Sequence, residues 1–122
     1  MTKSQLPKEE QLYVKEASKS LREKDVTPQS VYRIPILEAL VEIGGKGKAD
    51  EVLKKVYDKI KDILKPGDFK EVSGGEPRWR NYARWEKKKM VNEGLLKKDF
   101  PRGIWEITEK GRKYLEDYPK NI

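Results

Sequence analysis

The chain has 122 residues, and 28 Lys and Arg against 21 Asp and Glu give it a net charge of +7. It contains no Cys and no His, which excludes disulfides, thiolate zinc sites and catalysis by a cysteine nucleophile or a histidine base. No uncharged apolar run approaches the roughly 20 residues of a membrane span. We therefore expect a small cytoplasmic protein of one main domain, not membrane-bound, with no metal, no cofactor and no evident small-molecule substrate.

The N-terminal part is predicted to be a helical appendage over residues 1–27, followed by the main domain over 28–122. Apolar residues recur at helical spacing between Pro7 and Arg22, and Pro28 disfavours helix at Thr27. Two hypotheses stay open for this extra N-terminal helix. It forms a homodimer interface, or it packs on its own domain.

The first helix of the main domain is predicted from about Val31 to Ile43, where Gly44 and Gly45 end it. Because Pro35 lies within the pattern, the helix could begin nearer Ile34. The expected buried residues are Ile36, Leu37, Leu40, Val41 and Ile43.

The second helix is predicted from Asp50, as its N-cap, to about Leu64. The residues before it, Lys46 to Ala49, are expected to be a connector with one extended turn. A loop follows over residues 65–77. The expected apolar face comprises Val52, Leu53, Val56, Tyr57, Ile60 and Ile63 or Leu64.

The third helix is predicted from about Pro77 to Asn92, and it is followed by two short strands and a last helix. The strands, Leu95–Asp99 and Ile104–Thr108, are joined by a tight turn at Phe100–Gly103 with Pro101 at its first central position. Thr108 caps a helix that ends near Asp117. This order predicts a mainly α protein with a small β-hairpin, a winged helix-turn-helix with an extra N-terminal helix.

Positive charge is concentrated in the third helix and the hairpin, where residues 78–102 hold nine basic side chains against three acidic ones. At 100° per residue, Arg80, Arg84 and Lys88 share one side of the third helix, with Asn81 beside them. Trp79, Ala83 and Met90 fall on the other side and are expected in the core. Arg and Asn can bind the edges of guanine and adenine, and cations on a hairpin suit phosphates. The predicted DNA-binding residues are Arg78, Arg80, Asn81, Arg84, Lys88, Lys97, Lys98 and Arg102.

Two further features of this segment have less specific interpretations. Trp85 lies nearer the polar face than Trp79, so it could stack on a base. Asp68 and Glu86-Lys87-Lys88 match the D…E-x-K motif of metal-dependent nucleases. In such sites a rigid sheet usually groups the carboxylates around the metal ion, whereas Glu86 is predicted on a helix. We expect no catalytic residue and no enzyme activity.

Four runs of residues between Ile34 and Tyr114 resemble the N-terminal winged-helix domain of Mrr-type restriction proteins. They are Ile34–Leu40, Pro77–Trp85, Asn92–Leu96 and Gly103–Arg112. The resemblance covers about two-thirds of the chain, and it implies DNA recognition by a domain that the family couples to a separate nuclease domain.

The expected function is binding of double-stranded DNA, as a nucleoid-associated transcriptional regulator or DNA-recognition module. The alternative is a protein–protein interaction module of a DNA-processing or restriction complex, because fold alone does not determine function.

Overall fold

The computed structural model describes residues 25–72, 74–98 and 101–118. The N-terminal helix predicted over residues 7–22, and the homodimer contact suggested for it, therefore lie outside the described residues. The regular elements are a 3₁₀ segment Gln29–Tyr32, α1 (Arg33–Glu42), β1 (Lys46–Lys48), α2 (Ala49–Ile60), a 3₁₀ segment Pro66–Phe69, α3 (Arg78–Asn92), β2 (Ile104–Glu106) and α4 (Glu109–Asp117).

This order confirms the mainly α fold with a small antiparallel sheet that was predicted for the main domain. Helices α1, α2 and α3 surround one apolar core, and β2 closes it through the buried side chains of Trp105 and, just beyond the strand, Ile107. In a winged helix-turn-helix, α3 is the helix that stands in the recognition position.

Helix α1 contributes the predicted residues Ile36, Leu37 and Leu40 to the core, and all three are fully buried. The prediction for Val41 is wrong, since 39% of this residue is exposed. Val41 lies 100° around the helix from Leu40, which carries it past the edge of the face that contacts α2 and α3. Pro35 causes no break because it lies in the first turn of α1.

Helix α2 begins two residues earlier, with Lys48 in place of Asp50 as its N-cap, and ends four residues sooner than the sequence predicted. Asp50 is not the N-cap. It stands in the first turn, and the Glu51 carboxylate accepts a hydrogen bond from the backbone N–H of Lys48 (3.4 Å). The chain turns away at Lys61, so Ile63 is 56% exposed while Leu64 still reaches the core.

The sheet differs from the predicted hairpin in its strand partners. Lys46–Lys48, expected to be a connector, forms β1 and pairs antiparallel with β2, with Gly47 opposite Trp105. The predicted strand Leu95–Asp99 is reduced in the described residues to a bridge between Leu96 and Ile107. Because Leu95 and Leu96 are both buried, the alternation of a half-buried strand is absent there.

The turn that precedes β2 is displaced by one residue from its predicted position. The backbone N–H of Ile104 donates to the carbonyl oxygen of Pro101 (3.1 Å), so Pro101 opens the turn instead of holding its first central position. Gly103 has φ +85°, the conformation that a type II turn requires at its second central residue.

Helix α4 begins at a cap that the sequence predicted correctly. The Thr108 hydroxyl accepts from the backbone N–H of Gly111 (3.0 Å), and its single proton is shared between the carbonyl oxygens of Gly94 (2.6 Å) and Leu95 (3.0 Å). A Cβ on Gly111 would lie 2.2 Å from the Leu95 carbonyl oxygen. The close approach of α4 to the end of α3 therefore depends on glycine.

Replacing Gly111 by Ala is expected to lower the free energy of unfolding by about 1–3 kcal/mol, because the methyl group overlaps rigid backbone. Helix propensity alone would favour Ala by about 1 kcal/mol, so the sign of the change is informative. Urea denaturation measures it, with Lys113→Ala at an exposed position of α4 as the control. A stabilised Gly111→Ala variant would contradict the close packing.

Candidate nucleic-acid interface

Helix α3 has a buried side and an exposed side, as its periodicity predicted. Trp79, Ala83 and Met90 are buried in the core. Trp85 is 56% exposed, and its ring stacks on that of Tyr82 with centroids 5.8 Å apart and planes 20° apart. Lys88 is also exposed, whereas Asn81 is half-buried. A cation, an amide and an indole therefore lie on the outward half of α3.

The two arginines predicted to line this surface are both engaged by carboxylates. Arg80 donates through Nη2 to Asp50 Oδ1 (2.7 Å), and Arg84 donates through Nη2 to Glu76 Oε2 (3.1 Å). The Arg80 side chain is only 19% exposed, against 38% for Arg84. Arg80 thus lies at the edge of the outward surface, the exposed side of α3 that carries Asn81, Trp85 and Lys88. Arg84 is more exposed and lies within that surface.

Arg78 stands at the first position of α3, where it is half-buried and engaged in an interaction within the domain. It marks the end of α3 that carries Arg80, close to the start of α2.

The cations predicted on the hairpin lie in the segment between Leu96 and β2, which is called the wing from here on. Lys98 and Arg102 are exposed, and Lys97 forms an ion pair with Glu106 (3.1 Å). The backbone N–H of Ala49 donates to the carbonyl oxygen of Gly103 (2.9 Å), so the base of the wing is joined to the start of α2.

The start of α2 is consequently the junction between the wing and α3. Ala49 holds the wing through Gly103, and the neighbouring Asp50 holds α3 through Arg80. The predicted residues of the wing and those at the N-terminal end of α3 therefore flank one short segment of chain. Their proximity supports one surface made of both.

Sequence reasoning missed two cations of this region. Lys46 and Lys48 are exposed on β1, on the same face of the strand because side chains alternate along it. Their partners across the sheet are Glu106 and Ile104, so they lie beside the base of the wing. The Lys-Gly-Lys alternation was the available signal, but three residues are too few to distinguish a strand from a connector.

A second missed feature is a buried ion-pair network that fixes α3 against α1. Glu86 is 2% exposed, and it accepts from Arg33 Nε (2.6 Å) and from the Gln29 side-chain amide (3.0 Å). The same guanidinium donates from both Nη atoms to the two carboxylate oxygens of Glu93 (2.8 and 2.9 Å) and lies 5.5 Å from the centre of the Tyr114 ring. Hydrogen bonding to Glu93 is the main cause that raises the pKa of Arg33, and the same contact lowers the pKa of Glu93.

Asp68 and Glu86, the carboxylates of the nuclease-like motif, both form hydrogen bonds within the domain. The Asp68 carboxylate is fully buried and accepts from the Thr27 hydroxyl (2.6 Å) and from the backbone N–H groups of Thr27 and Lys65 (2.8 Å each). Glu86 is committed to Arg33 and Gln29. Within residues 25–72, 74–98 and 101–118, no group of three or more carboxylates is placed to hold a metal ion.

A cleft of about 340 Å³ opens beside this network, between the start of α1 and helices α3 and α4. Arg33, Glu86 and Glu93 line it together with Lys89 and Tyr114. Arg33 is already bonded to Glu86 and Glu93 and lies against the ring of Tyr114, so we assign no ligand to this cleft.

A comparison with protein families matches the Mrr N-terminal domain over residues 30–117, which is most of the chain. The chain belongs to the Mrr N-terminal domain family. This membership confirms the resemblance that the sequence indicated, and the family is that of an N-terminal domain separate from the nuclease domain. No curated protein and no solved structure matches the chain. Among the helices of the described ranges, none has the length and apolar content that crossing a membrane requires.

For this Mrr N-terminal domain, the lowered pKa of Glu93 predicts a specific loss of stability in acid. The Arg33–Glu93 contact contributes fully above the ordinary glutamate pKa and is lost as pH falls through the lower folded value. Glu93→Gln should therefore flatten the decline of unfolding free energy between about pH 5 and pH 3. Urea denaturation across this range measures it, with Glu116→Gln as the charge-matched control. A Glu93→Gln curve parallel to the wild type would contradict the assignment.

Proposed function

We propose that this domain binds double-stranded DNA, with α3 in the major groove and the wing on the phosphate backbone. The observation that best supports this proposal is the junction at the start of α2, which joins the cationic wing to the N-terminal end of α3. Family membership supports the same function, since the resemblance to Mrr-type restriction proteins implies that this domain recognises DNA.

The proposed roles follow from exposure and chemistry. Arg84, Lys88 and Asn81 face outward on α3, where a guanidinium and an amide can bind purine edges in the major groove. Lys98 and Arg102 are exposed on the wing and suit phosphates or, at the tip, a minor groove. Arg78, Arg80 and Lys97 have secondary roles in DNA binding, because other residues of the domain engage them.

The domain acts without catalysis in this proposal, as a recognition module or a transcriptional regulator associated with the nucleoid. Its homodimerisation through residues 7–22 is a separate proposal. A two-fold dimer would present two α3 helices to half-sites about one helical turn apart.

Salt dependence of DNA binding tests the function directly. If the exposed lysines of β1 and the exposed cations of the wing and α3 together contact four to six phosphates, the slope of log K against log salt is roughly −4 to −5. Fluorescence anisotropy with a labelled duplex should give this slope for the wild type and strongly weakened binding for Arg84→Ala/Lys88→Ala.

The control for that experiment is Lys61→Ala/Lys113→Ala, which removes two exposed cations at the end of α2 and on α4. This control variant loses the same two positive charges as Arg84→Ala/Lys88→Ala, but at positions away from the proposed interface. Absence of wild-type binding at low salt, or equal weakening by both double variants, would contradict recognition through α3.

A second candidate function, protein binding through the same face, is favoured by the exposed Trp85. Large exposed aromatic side chains are typical anchors of protein interfaces. The stacked pair of Tyr82 and Trp85 would supply apolar area between the cations of α3.

Tryptophan fluorescence distinguishes these two uses of α3. Trp79 and Trp105 are buried, so acrylamide should quench mainly Trp85. If α3 enters the groove, saturating duplex should reduce the quenching constant to about that of Trp85→Phe, which retains only the buried indoles. Unchanged quenching while anisotropy reports binding would mean that Trp85 lies outside the DNA contact and remains accessible to a protein partner.

A further inference from the structure

The outward surface of the Mrr N-terminal domain contains two carboxylates that oppose the function proposed for it. Asp50 lies in the first turn of α2 and is 85% exposed, and Glu76 lies just before α3 with 28% exposure. Both are bonded to arginines at the N-terminal half of α3. A phosphate that approached these arginines would also approach the carboxylates and be repelled.

The carboxylates and arginines form one connected group. Glu76 Oε2 lies 3.1 Å from Arg84 Nη2 and 3.8 Å from Arg80 Nη1, while Asp50 Oδ1 lies 2.7 Å from Arg80 Nη2. Arg80 is therefore held from two elements, α2 and the segment before α3. The Nε atoms of both arginines are buried, and in the described part of the chain neither has a hydrogen-bond partner.

Stability does not account for this arrangement. Exposed and partly exposed ion pairs contribute only about 0–1 kcal/mol, and the buried Nε atoms reduce whatever is gained. The main effect of the carboxylates is electrostatic: they cancel much of the positive potential at the start of α3.

This cancellation acts differently on the two kinds of DNA contact. A phosphate carries a full negative charge, so a neighbouring carboxylate weakens its attraction to an arginine. The edge of a guanine offers uncharged acceptors, and a guanidinium has five N–H donors, of which the carboxylates use a minority. Repelling the unwanted contact is a recognised source of specificity.

We propose that Asp50 and Glu76 form an acidic clamp that makes Arg80 and Arg84 poor phosphate ligands and so limits binding to arbitrary DNA sequences. The clamp comprises these two carboxylates, which hold the guanidinium groups of Arg80 and Arg84. The inference rests on the proposed DNA-binding function, and it makes Asp50 and Glu76 positioning residues of that surface.

Neutralising one arm of the clamp tests it. Glu76→Gln keeps the shape of the side chain and removes its charge. Because one unit charge at about 4 Å from another contributes about a fivefold change in affinity in water, this variant should bind an arbitrary duplex about fivefold more tightly at low salt. The salt slope should steepen by about 0.9 for each phosphate newly contacted. Asp50→Asn should act in the same direction.

Glu42→Gln is the matched control, since it raises the net charge equally but lies at the end of α1, where Glu42 pairs with Lys55 and Lys59. Tighter and more salt-dependent binding by Glu76→Gln than by Glu42→Gln supports the clamp, even where the wild type binds too weakly to measure. Salt-dependent binding by the wild type with equal effects of the two variants overturns the clamp alone. No binding by any of these proteins at low salt overturns the clamp together with the DNA-binding function.

Discussion

The orientation of α3 depends on the buried ion pair between Glu86 and Arg33. A carboxylate with 2% exposure is costly unless it is paired, and Arg33 pairs it while also holding Glu93, the C-cap residue about two turns further along α3. One guanidinium at the start of α1 therefore binds α3 at two points. The apolar contacts of Trp79 and Met90 define how closely the helices pack, and the ion pairs add fixed polar contacts to them because the buried Glu86 must keep its partner.

Charge has two separate uses on α3. On the side toward α1, cation and carboxylate are buried together and contribute structural specificity. On the outward side, Arg84 and Lys88 remain accessible, and the carboxylates of Asp50 and Glu76 lie at one end of the surface only. The net charge of +7 therefore understates how unevenly the potential is distributed along this helix.

Features that depend on local spacing could be predicted from the sequence. Side-chain pairs between residues far apart in the chain could not. Trp79, Ala83 and Met90 were assigned to the core correctly, because their spacing matches the helical repeat. The role of Glu86 could not be predicted, since its partner Arg33 is 53 residues away and a glutamate among lysines is typical of an exposed face. For the same reason, spacing placed Arg80 on a line with Arg84 but gave no sign that Asp50, on another helix, would hold it.

The wing is joined to the start of α2 by a hydrogen bond between main-chain atoms, from the N–H of Ala49 to the carbonyl of Gly103. Side-chain chemistry is not needed for this link, so every residue type at position 49 except proline retains the donor. Substitutions on the surfaces of the wing and of α3 therefore leave this connection in place. If the proposed DNA binding holds, the target of the domain can change through evolution while the link between its two binding elements persists.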